Sequence, residues 1–358
     1  MKPYLLLFFL FPVSIFSQSN NELLFDNVMK NHTGFNGVVL IAENGNTVYN
    51  KSFGYSEFVK KKTLRVNDIF EMASISKQFT SMIIMMLMEK GKLDYDDDVE
   101  KYLEIPYKGI TIRHLLNHTS GLPDYQDIMD KHWNKSQVAG NKEILEYLNK
   151  YAPPSQFKPG TAYAYSNTGY VLLASIAEKA IGKNFIKLSR KWIFKPLQMT
   201  NTNIRTPKQK ANENNFFTGH IFIPEKQQYL RADSFPSSDY TIWLGNRKGP
   251  GRVSSTAEDL LKWDNALYTE KLLKHSTLKE AFQPVKLPNG NISYYGFGWM
   301  INPDSKNGKT VMHTGDNPGY KTQIVRYIDA HKTIIILSNN AYENISAMVD
   351  DFTAQIFK

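Results

Sequence analysis

The sequence predicts an α+β fold in which one antiparallel sheet is built from both ends of the chain. Six runs have the pattern of strands: 36–42, 47–53, 295–301, 310–313, 320–328 and 332–338. Helix-like segments at 21–31 and 343–357 flank these runs, and a mostly helical block separates the first two from the rest. The simplest packing is a single sheet covered by the terminal helices, with the helical block as an inserted lobe.

The first two strands are joined by Glu43-Asn44-Gly45-Asn46, which is typical of a tight hairpin turn. The clearest helix is predicted at 76–89, a long and mostly apolar segment. Lys90-Gly91-Lys92 follows it, and Gly91 is suited to the C-terminal cap.

Further helices are predicted at 111–117, 142–150, 168–181, 184–192 and 256–268. We therefore assign an α/β lobe to about 20–70 and 290–358 and a helical lobe to about 71–289. The cleft between the lobes is the expected site. Residues 203–250 have no clear pattern.

The first residues are predicted to form a secretory signal peptide, residues 1–19. Lys2 precedes an apolar stretch from Tyr4 to Phe16, and Ser17, Gln18 and Ser19 follow. This stretch is too short to span a bilayer comfortably, although a signal anchor is the alternative. Cleavage after Ser17 and cleavage after Ser19 are both compatible with the sequence.

The chain has no cysteine, which excludes disulfides and thiolate chemistry. An exported protein without disulfides fits a bacterial periplasm or exterior, and no later apolar stretch predicts a membrane anchor after signal cleavage. The net charge of +9 is scattered, with one tight run at Lys60–Lys62, so we expect no nucleic-acid partner. His114 and His118 lack a third ligand at metal spacing, and no phosphate-binding glycine loop occurs, so we expect neither metal nor cofactor.

Ser74-Ile75-Ser76-Lys77 is the strongest candidate for a nucleophile. Ser74 precedes the long helix, whose positive end favours a developing anion, and Lys77 returns to the same face. A lysine desolvated by neighbours such as Phe79 and Met82 can lose its proton and activate the serine.

Two further motifs supply polar groups. In Tyr165-Ser166-Asn167, a loop tyrosine beside a lysine ammonium is expected to have a lowered pKa and to pass protons, and Asn167 offers a donor and an acceptor for a substrate amide. In His313-Thr314-Gly315, Gly315 is expected to admit a substrate backbone, with His313 and Thr314 along the cleft.

Each motif alone is weak, because each recurs in this chain. The other copies are Ser155–Lys158, Ser276–Lys279, Tyr147–Asn149, Tyr342–Asn344 and His32–Gly34. Their order and setting must therefore identify the functional copies.

In order and setting, the three motifs resemble those of the serine β-lactamase and penicillin-binding protein superfamily. The chain is most similar to the branch of class C β-lactamases, D-Ala-D-Ala carboxypeptidases, D-aminopeptidases and related esterases. The segments that agree, apart from the motifs, are Phe70–Ala73, Gly91–Asp94, Leu115–Pro123, Pro159–Thr161, Ser255–Leu260 and Pro318–Tyr320.

The resemblance implies an acylated nucleophile at Ser74, with proton transfer shared by Lys77 and Tyr165 and Tyr165 favoured as the base toward the leaving group or the water. Asn167 would orient the substrate amide. His313 would replace the lysine of the β-lactamase Lys-Thr-Gly motif, and Thr314 and Gly315 complete that strand. The backbone amides of Ser74 and Asp316 would form the oxyanion hole.

Three departures from the family pattern concern charge. His313 removes a fixed positive charge near a substrate carboxylate, which resembles the D-peptidase side of the branch. Asp316 adds a negative charge beside the oxyanion hole. Arg252, in the second position of what is often a Gly-Gly pair, either supplies the missing cation or faces solvent.

The resemblance therefore implies an exported serine hydrolase with an acyl-enzyme on Ser74, acting on a small-molecule, ester or D-amino-acid peptide substrate. A D-Ala-D-Ala carboxypeptidase or another D-amino-acid peptidase fits first. An esterase or a weak class C-like β-lactamase is the alternative. A non-catalytic penicillin- or peptide-binding protein is disfavoured, since competent residues fill every catalytic position.

Overall fold

The main sheet joins the two ends of the chain. The computed structural model describes residues 15–358, with side chains described from Glu22 onward. The sheet has six antiparallel strands in the spatial order Met300–Asn302, Thr310–Asn317, Tyr320–Tyr327, Lys332–Ser338, Gly37–Glu43 and Asn46–Phe53. At the central junction, Gly37 lies opposite Ser338. The predicted α+β fold class, with a sheet built from both chain ends, is confirmed.

Both faces of the sheet are covered, because successive side chains of a strand point in opposite directions. Val39 and Ile41 pack with the terminal helices Ile15–Met29 and Ile345–Ile356. The alternate residues of the same strand belong to the larger core that includes the helix Ser76–Glu89. A one-residue shift in register would exchange these two sets, so the double burial fixes the pairing.

The other α-helices lie in the chain between the strands Asn46–Phe53 and Met300–Asn302, and Ala257–Ala266 among them packs against the main sheet. They are Ile112–Leu116, Tyr125–His132, Asn141–Tyr151, Asn167–Ile181, Phe185–Ser189, Pro207–Ala211, Tyr240–Trp243, Ala257–Ala266 and His275–Ala281. A π-helical turn, Arg190–Phe194, and short 3₁₀ turns at Ala73–Ile75, Val99–Lys101, Pro224–Lys226, Ala232–Ser234 and Pro236–Ser238 connect them. The remaining strands are Tyr55–Glu57, Lys62–Thr63, Phe70–Glu71, Asn203–Ile204, His220–Ile223, Gln228–Arg231, Val253–Ser255, Val285–Lys286 and Ile292–Ser293.

Several predicted elements have the observed bounds, among them the helix at 76–89 and the strand at 332–338. The strand predicted at 295–301 is wrong for most of its length, since only Met300–Asn302 pairs with the sheet. Gly298 has a φ of +82°, and a Cβ there would lie 2.9 Å from the Lys77 carbonyl oxygen. The segment therefore turns at this glycine and packs against the helix that carries Lys77.

Residues 203–250 contain a hairpin, His220–Ile223 with Gln228–Arg231, between short helices. The hairpin is attached to the end of the main sheet, because the His220 N–H donates to the Asn339 carbonyl at 2.8 Å. The segment that had no readable pattern therefore lies at the end of the strand Lys332–Ser338, and its Gly219 packs closely against Gly319, in the turn that follows the strand Thr310–Asn317.

The predicted signal peptide, residues 1–19, falls mostly outside the described residues and stays a prediction, as do the lobe boundaries. In the part of the chain that the structure describes, none of the helices has the length and apolar character needed to cross a bilayer.

Candidate active site

Ser74 lies in the 3₁₀ turn Ala73–Ile75, between the strand Phe70–Glu71 and the helix Ser76–Glu89. Ala73 has a φ of +44°, a left-handed conformation that is unfavourable for a residue with a side chain. Ser74 is partly exposed, whereas the residues on both sides of it are buried. The strained turn therefore presents the serine hydroxyl at the beginning of the helix.

The strand Thr310–Asn317 approaches this turn closely at Gly315. A Cβ on Gly315 would lie 2.3 Å from the Met72 carbonyl oxygen, which also accepts a 3.2 Å hydrogen bond from the Thr322 hydroxyl. The prediction that Gly315 leaves room for a substrate backbone is corrected on this point. The room is filled by the backbone that precedes Ser74, so the glycine positions the nucleophile.

Lys77 is fully buried, and its Nζ lies 3.1 Å from the Ser74 Oγ. Nζ also lies 2.9 Å from the Asn167 Oδ1 and 3.0 Å from the Pro250 carbonyl oxygen, which accept hydrogen bonds from it. Burial lowers the pKa of Lys77 well below its usual value, and the Arg247 charge lowers it further. The desolvation predicted from the sequence is confirmed. In a neutral amine, two N–H groups serve the two carbonyl oxygens, and the lone pair is left for the serine proton.

Tyr165 and Asn167 lie where a loop enters the helix Asn167–Ile181. The Ser166 hydroxyl caps this helix by accepting the Gly169 N–H at 3.1 Å. The cap places Asn167 against Lys77, and the Tyr165 ring centroid lies 4.6 Å from the Lys77 Nζ. The structure thus brings the first two motifs together.

Tyr165 has the opposite pKa shift from the one predicted. Its side chain is 39% exposed as a whole, but burial raises its pKa, and a hydrogen bond with the Ser74 side chain only partly opposes the rise. The prediction assumed a lysine ammonium nearby. Because burial favours the uncharged amine of Lys77, that charge does not stabilise a tyrosinate.

His313 is buried behind the cleft, with 1% of its surface exposed. Its Nδ1 lies 2.6 Å from the Thr314 carbonyl oxygen, which can only accept, so Nδ1 carries the proton. Its Nε2 then accepts from the Tyr295 hydroxyl at 2.8 Å. Burial and the nearby Lys77 lower the pKa of His313 to about 3. The prediction that His313 presents a polar group along the cleft is therefore corrected, since both nitrogens bond within the protein.

The rest of this strand differs in exposure. Thr314 is half-buried, whereas the Asp316 side chain is 69% exposed, and its carboxylate lies 2.7 Å from the Lys321 Nζ. Lys321 therefore offsets the negative charge that the sequence places beside Ser74. Asp316 lines a cavity of about 80 Å³ together with Ser74 and Asn167.

Arg252 neither lines the Ser74 cavity nor faces solvent, the two alternatives left by the sequence; it lines a neighbouring cavity. It is 2% exposed, with a φ of +80°, and it donates to the Thr241 carbonyl at 3.0 Å. The cation in the Ser74 cavity is Arg247, which sequence analysis missed because it lies within 203–250. Arg247 is 8% exposed and donates to the Tyr125 hydroxyl at 2.6 Å.

Two other residues, His118 from the family-like segment Leu115–Pro123 and Tyr295, position the site. The His118 Nδ1 accepts the Ser166 N–H at 3.1 Å, and its ring lies 4.3 Å from that of Tyr165. Tyr295 is buried between His118 and His313. These rings hold the loop that carries Tyr165 against the strand that carries His313.

Known proteins share this architecture. The Beta-lactamase family model matches residues 23–355. Penicillin-binding protein 4* of Bacillus subtilis (strain 168) is 40% identical over 89% of this chain and 71% of its own length. Protein flp of Staphylococcus aureus (strain MRSA252) is 28% identical, over 89% of this chain and 62% of its own length, so this chain spans less than two thirds of that relative. The octameric penicillin-binding protein homologue from Pyrococcus abyssi superimposes with a TM-score of 0.79 at 24% identity, covering 96% of this chain and 78% of that one.

Proposed function

Because the chain belongs to the β-lactamase family, whose members are generally hydrolases, we propose that it is a serine hydrolase that works through an acyl-enzyme on Ser74. The contact between the Ser74 Oγ and the buried Lys77 Nζ, at 3.1 Å, carries the proposal. A hydroxyl becomes a strong nucleophile when an adjacent base removes its proton. The lowered pKa of Lys77 favours the neutral amine, which can act as such a base.

In the first half-reaction, the Lys77 amine accepts the Ser74 proton while the serine oxygen bonds to the carbonyl carbon of the substrate. The backbone N–H groups of Ser74 and Asp316 are the donors we assign to the resulting oxyanion. Tyr165, which holds its proton because its pKa is raised, is placed to protonate the leaving group as the bond to it breaks. It regains a proton from the Lys77 ammonium, and water then releases the acyl group from Ser74.

We assign the substrate to the D-amino-acid peptides and their ester analogues, with the protein exported to the periplasm or the exterior. The name of the Bacillus subtilis relative records penicillin binding by that protein, and penicillin-binding proteins carry a Ser-x-x-Lys nucleophile. Arg247 supports a substrate with a carboxylate near the scissile bond, since its buried charge lies in the Ser74 cavity. A weak β-lactamase or an esterase uses the same core chemistry.

Intact mass after incubation with benzylpenicillin tests the nucleophile. We expect an adduct of the antibiotic's mass on the wild type and none on Ser74→Ala. Ser276→Ala is the matched control, because Ser276 belongs to the other Ser-x-x-Lys of a helix and should still be labelled. Equal labelling of all three proteins would contradict the assignment.

The same experiment separates the candidate activities by their deacylation rates. A stable adduct favours a penicillin-binding peptidase, and consumption of penicillin without an adduct indicates a β-lactamase. If neither occurs, burst kinetics with an ester and a D-Ala-D-Ala peptide test the remaining substrates. Absence of any Ser74-dependent turnover there would reject the proposed function.

A further inference from the structure

A second and larger cavity lies beside the Ser74 cavity. Its volume is about 360 Å³, against about 80 Å³ for the cavity at Ser74. We call it the side cavity, and its walls include Glu71, Lys210, Phe216, His220, Arg252 and Tyr320. Its volume falls within the range of small-molecule sites. It can therefore hold a small ligand or one part of a larger ligand.

Two buried side chains of the side cavity carry polar groups that the fold does not use. His220 is 1% exposed, and neither of its ring nitrogens has a hydrogen-bond partner among the described residues. The nearby carboxylate of Glu57 is 3.9 Å away, too far for a hydrogen bond. The Nε of Arg252 is likewise buried without a partner in that part of the chain. Since buried polar groups nearly always have partners, these two indicate a ligand that accepts hydrogen bonds.

The walls of the side cavity carry three basic and three acidic side chains, and two of the basic ones, Arg252 and Lys210, lie around Glu71. The Glu71 carboxylate contacts the Lys210 ammonium group and lies 3.8 Å from the Arg252 guanidinium. Arg231 and Asp233, on another wall, neutralise each other at 2.7 Å. Arg252 and Lys210 therefore share one carboxylate at the buried end, where a carboxylate of a ligand would find two basic side chains, whereas Glu57 lies on the His220 side of the cavity.

The two cavities share a wall. Asn317 lines both, and its side chain donates to the Glu71 carboxylate at 2.8 Å. Asp316 and Tyr240 line the Ser74 cavity, whereas Pro318, two residues after Asp316, and Thr241, which follows Tyr240, line the side cavity. A substrate bound at Ser74 that continues along residues 316–318 would therefore extend toward the side cavity.

We propose that the side cavity binds a carboxylate on the part of the substrate that is remote from the scissile bond. Arg252, Lys210 and a His220 N–H would hold the carboxylate, and the rings of Phe216 and Tyr320 would contact the aliphatic or aromatic group that carries it. This inference rests on the proposed function, because it names the substrate class of the Ser74 site.

Two substrates that differ in one charged group test the proposal. They are the p-nitroanilides of N-glutaryl-D-alanine and N-pentanoyl-D-alanine, whose acyl chains have the same length and differ in the terminal carboxylate. We expect the wild type to prefer the glutaryl compound by about tenfold or more in kcat/KM, the effect of one charge-assisted hydrogen bond. Equal kcat/KM values for the two compounds would overturn the proposal without any variant.

Two lysine variants locate the preference. Lys210→Met should lose it, whereas Lys208→Met should keep it, because Lys208 is exposed on the same short helix, Pro207–Ala211. Thermal melting checks that Lys210→Met is folded. A preference that survives in folded Lys210→Met would overturn the assignment to the side cavity and point to Arg247 instead.

The two proposals fail in different ways. If neither anilide is hydrolysed in a Ser74-dependent manner, the proposed function fails for this substrate class. Calorimetric titration then tests whether the side cavity binds a carboxylate. The titrants are N-glutaryl-D-alanine and N-pentanoyl-D-alanine. Tighter binding of the glutaryl compound to the wild type, lost in Lys210→Met, supports the carboxylate site. Equal binding of both titrants overturns it.

Discussion

Two lysines of this protein have lost most of their contact with water, in very different surroundings. Lys77 is bonded to a hydroxyl, an amide oxygen and a backbone carbonyl, all of them uncharged. Lys210, with a side chain that is 11% exposed, contacts the Glu71 carboxylate and lies near Arg252. Burial lowers the pKa of both lysines, and neighbouring guanidinium groups contribute in each case.

The contrast shows what distinguishes a buried base from a buried ion pair. Around Lys77, no contacting carboxylate opposes the effect of burial, so the neutral amine and its lone pair are favoured. Around Lys210, a touching carboxylate is present and opposes the lowering of the pKa by burial and by the neighbouring guanidinium groups. We therefore expect the first lysine to move protons and the second to hold charge for the fold and for a ligand.

The largest expected effect concerns the partner of Lys210. Glu71→Ala removes the carboxylate that Lys210 and Arg252 share and leaves two buried cations without compensation. We expect the free energy of unfolding to fall by about 3–5 kcal/mol, measured by urea denaturation at neutral pH. The double variant Glu71→Ala/Lys210→Met should recover part of the loss. A loss below about 1 kcal/mol would mean that Lys210 is uncharged, and the contrast with Lys77 would disappear.

The next effect concerns Lys77 as a base. Lys77→Ala should reduce the rate of acylation by benzylpenicillin by about 100-fold or more, the usual contribution of a proton carrier. The rate is measured by intact mass spectrometry of samples quenched at successive times. Lys90→Ala is the matched control, because Lys90 caps the same helix and is exposed. A near-normal rate in Lys77→Ala would assign the base role to Tyr165 alone.

The elements that the sequence predicts best are those with strong periodicity. The helix Ser76–Glu89 and the strand Lys332–Ser338 contain the long apolar runs Met82–Met88 and Ile334–Leu337, and both have the predicted bounds. The strand prediction at 295–301 was wrong because apolar composition alone does not reveal that the chain turns at Gly298 and packs against the helix Ser76–Glu89. Residues 203–250 were unreadable because their short elements depend on tertiary contacts such as the His220 N–H bond to Asn339.

The motifs predicted which side chains meet but not what state those side chains would have. Ser74, Lys77 and Asn167 converge as their motifs indicate. The copy at His32 instead lies 2.9 Å from Asp351, on the C-terminal helix. The raised pKa of Tyr165 and the hydrogen bonds that occupy both ring nitrogens of His313 depend on burial, and motif spacing in the sequence does not reveal burial.

The smallest expected effect is a displacement of a pH profile, and it tests the electrostatic link between Arg247 and Lys77. The Arg247 charge disfavours a second positive charge on Lys77, so Arg247→Gln should raise the pKa of Lys77. The amine must be deprotonated to act. The acidic limb of the pH profile of kcat/KM should therefore move to higher pH, by about one unit for the loss of a neighbouring charge. Arg65→Gln, at an exposed arginine paired with Asp68, should leave the limb in place. If Arg247→Gln leaves it in place as well, the limb reports a group other than Lys77, and burial alone would have to keep the amine neutral.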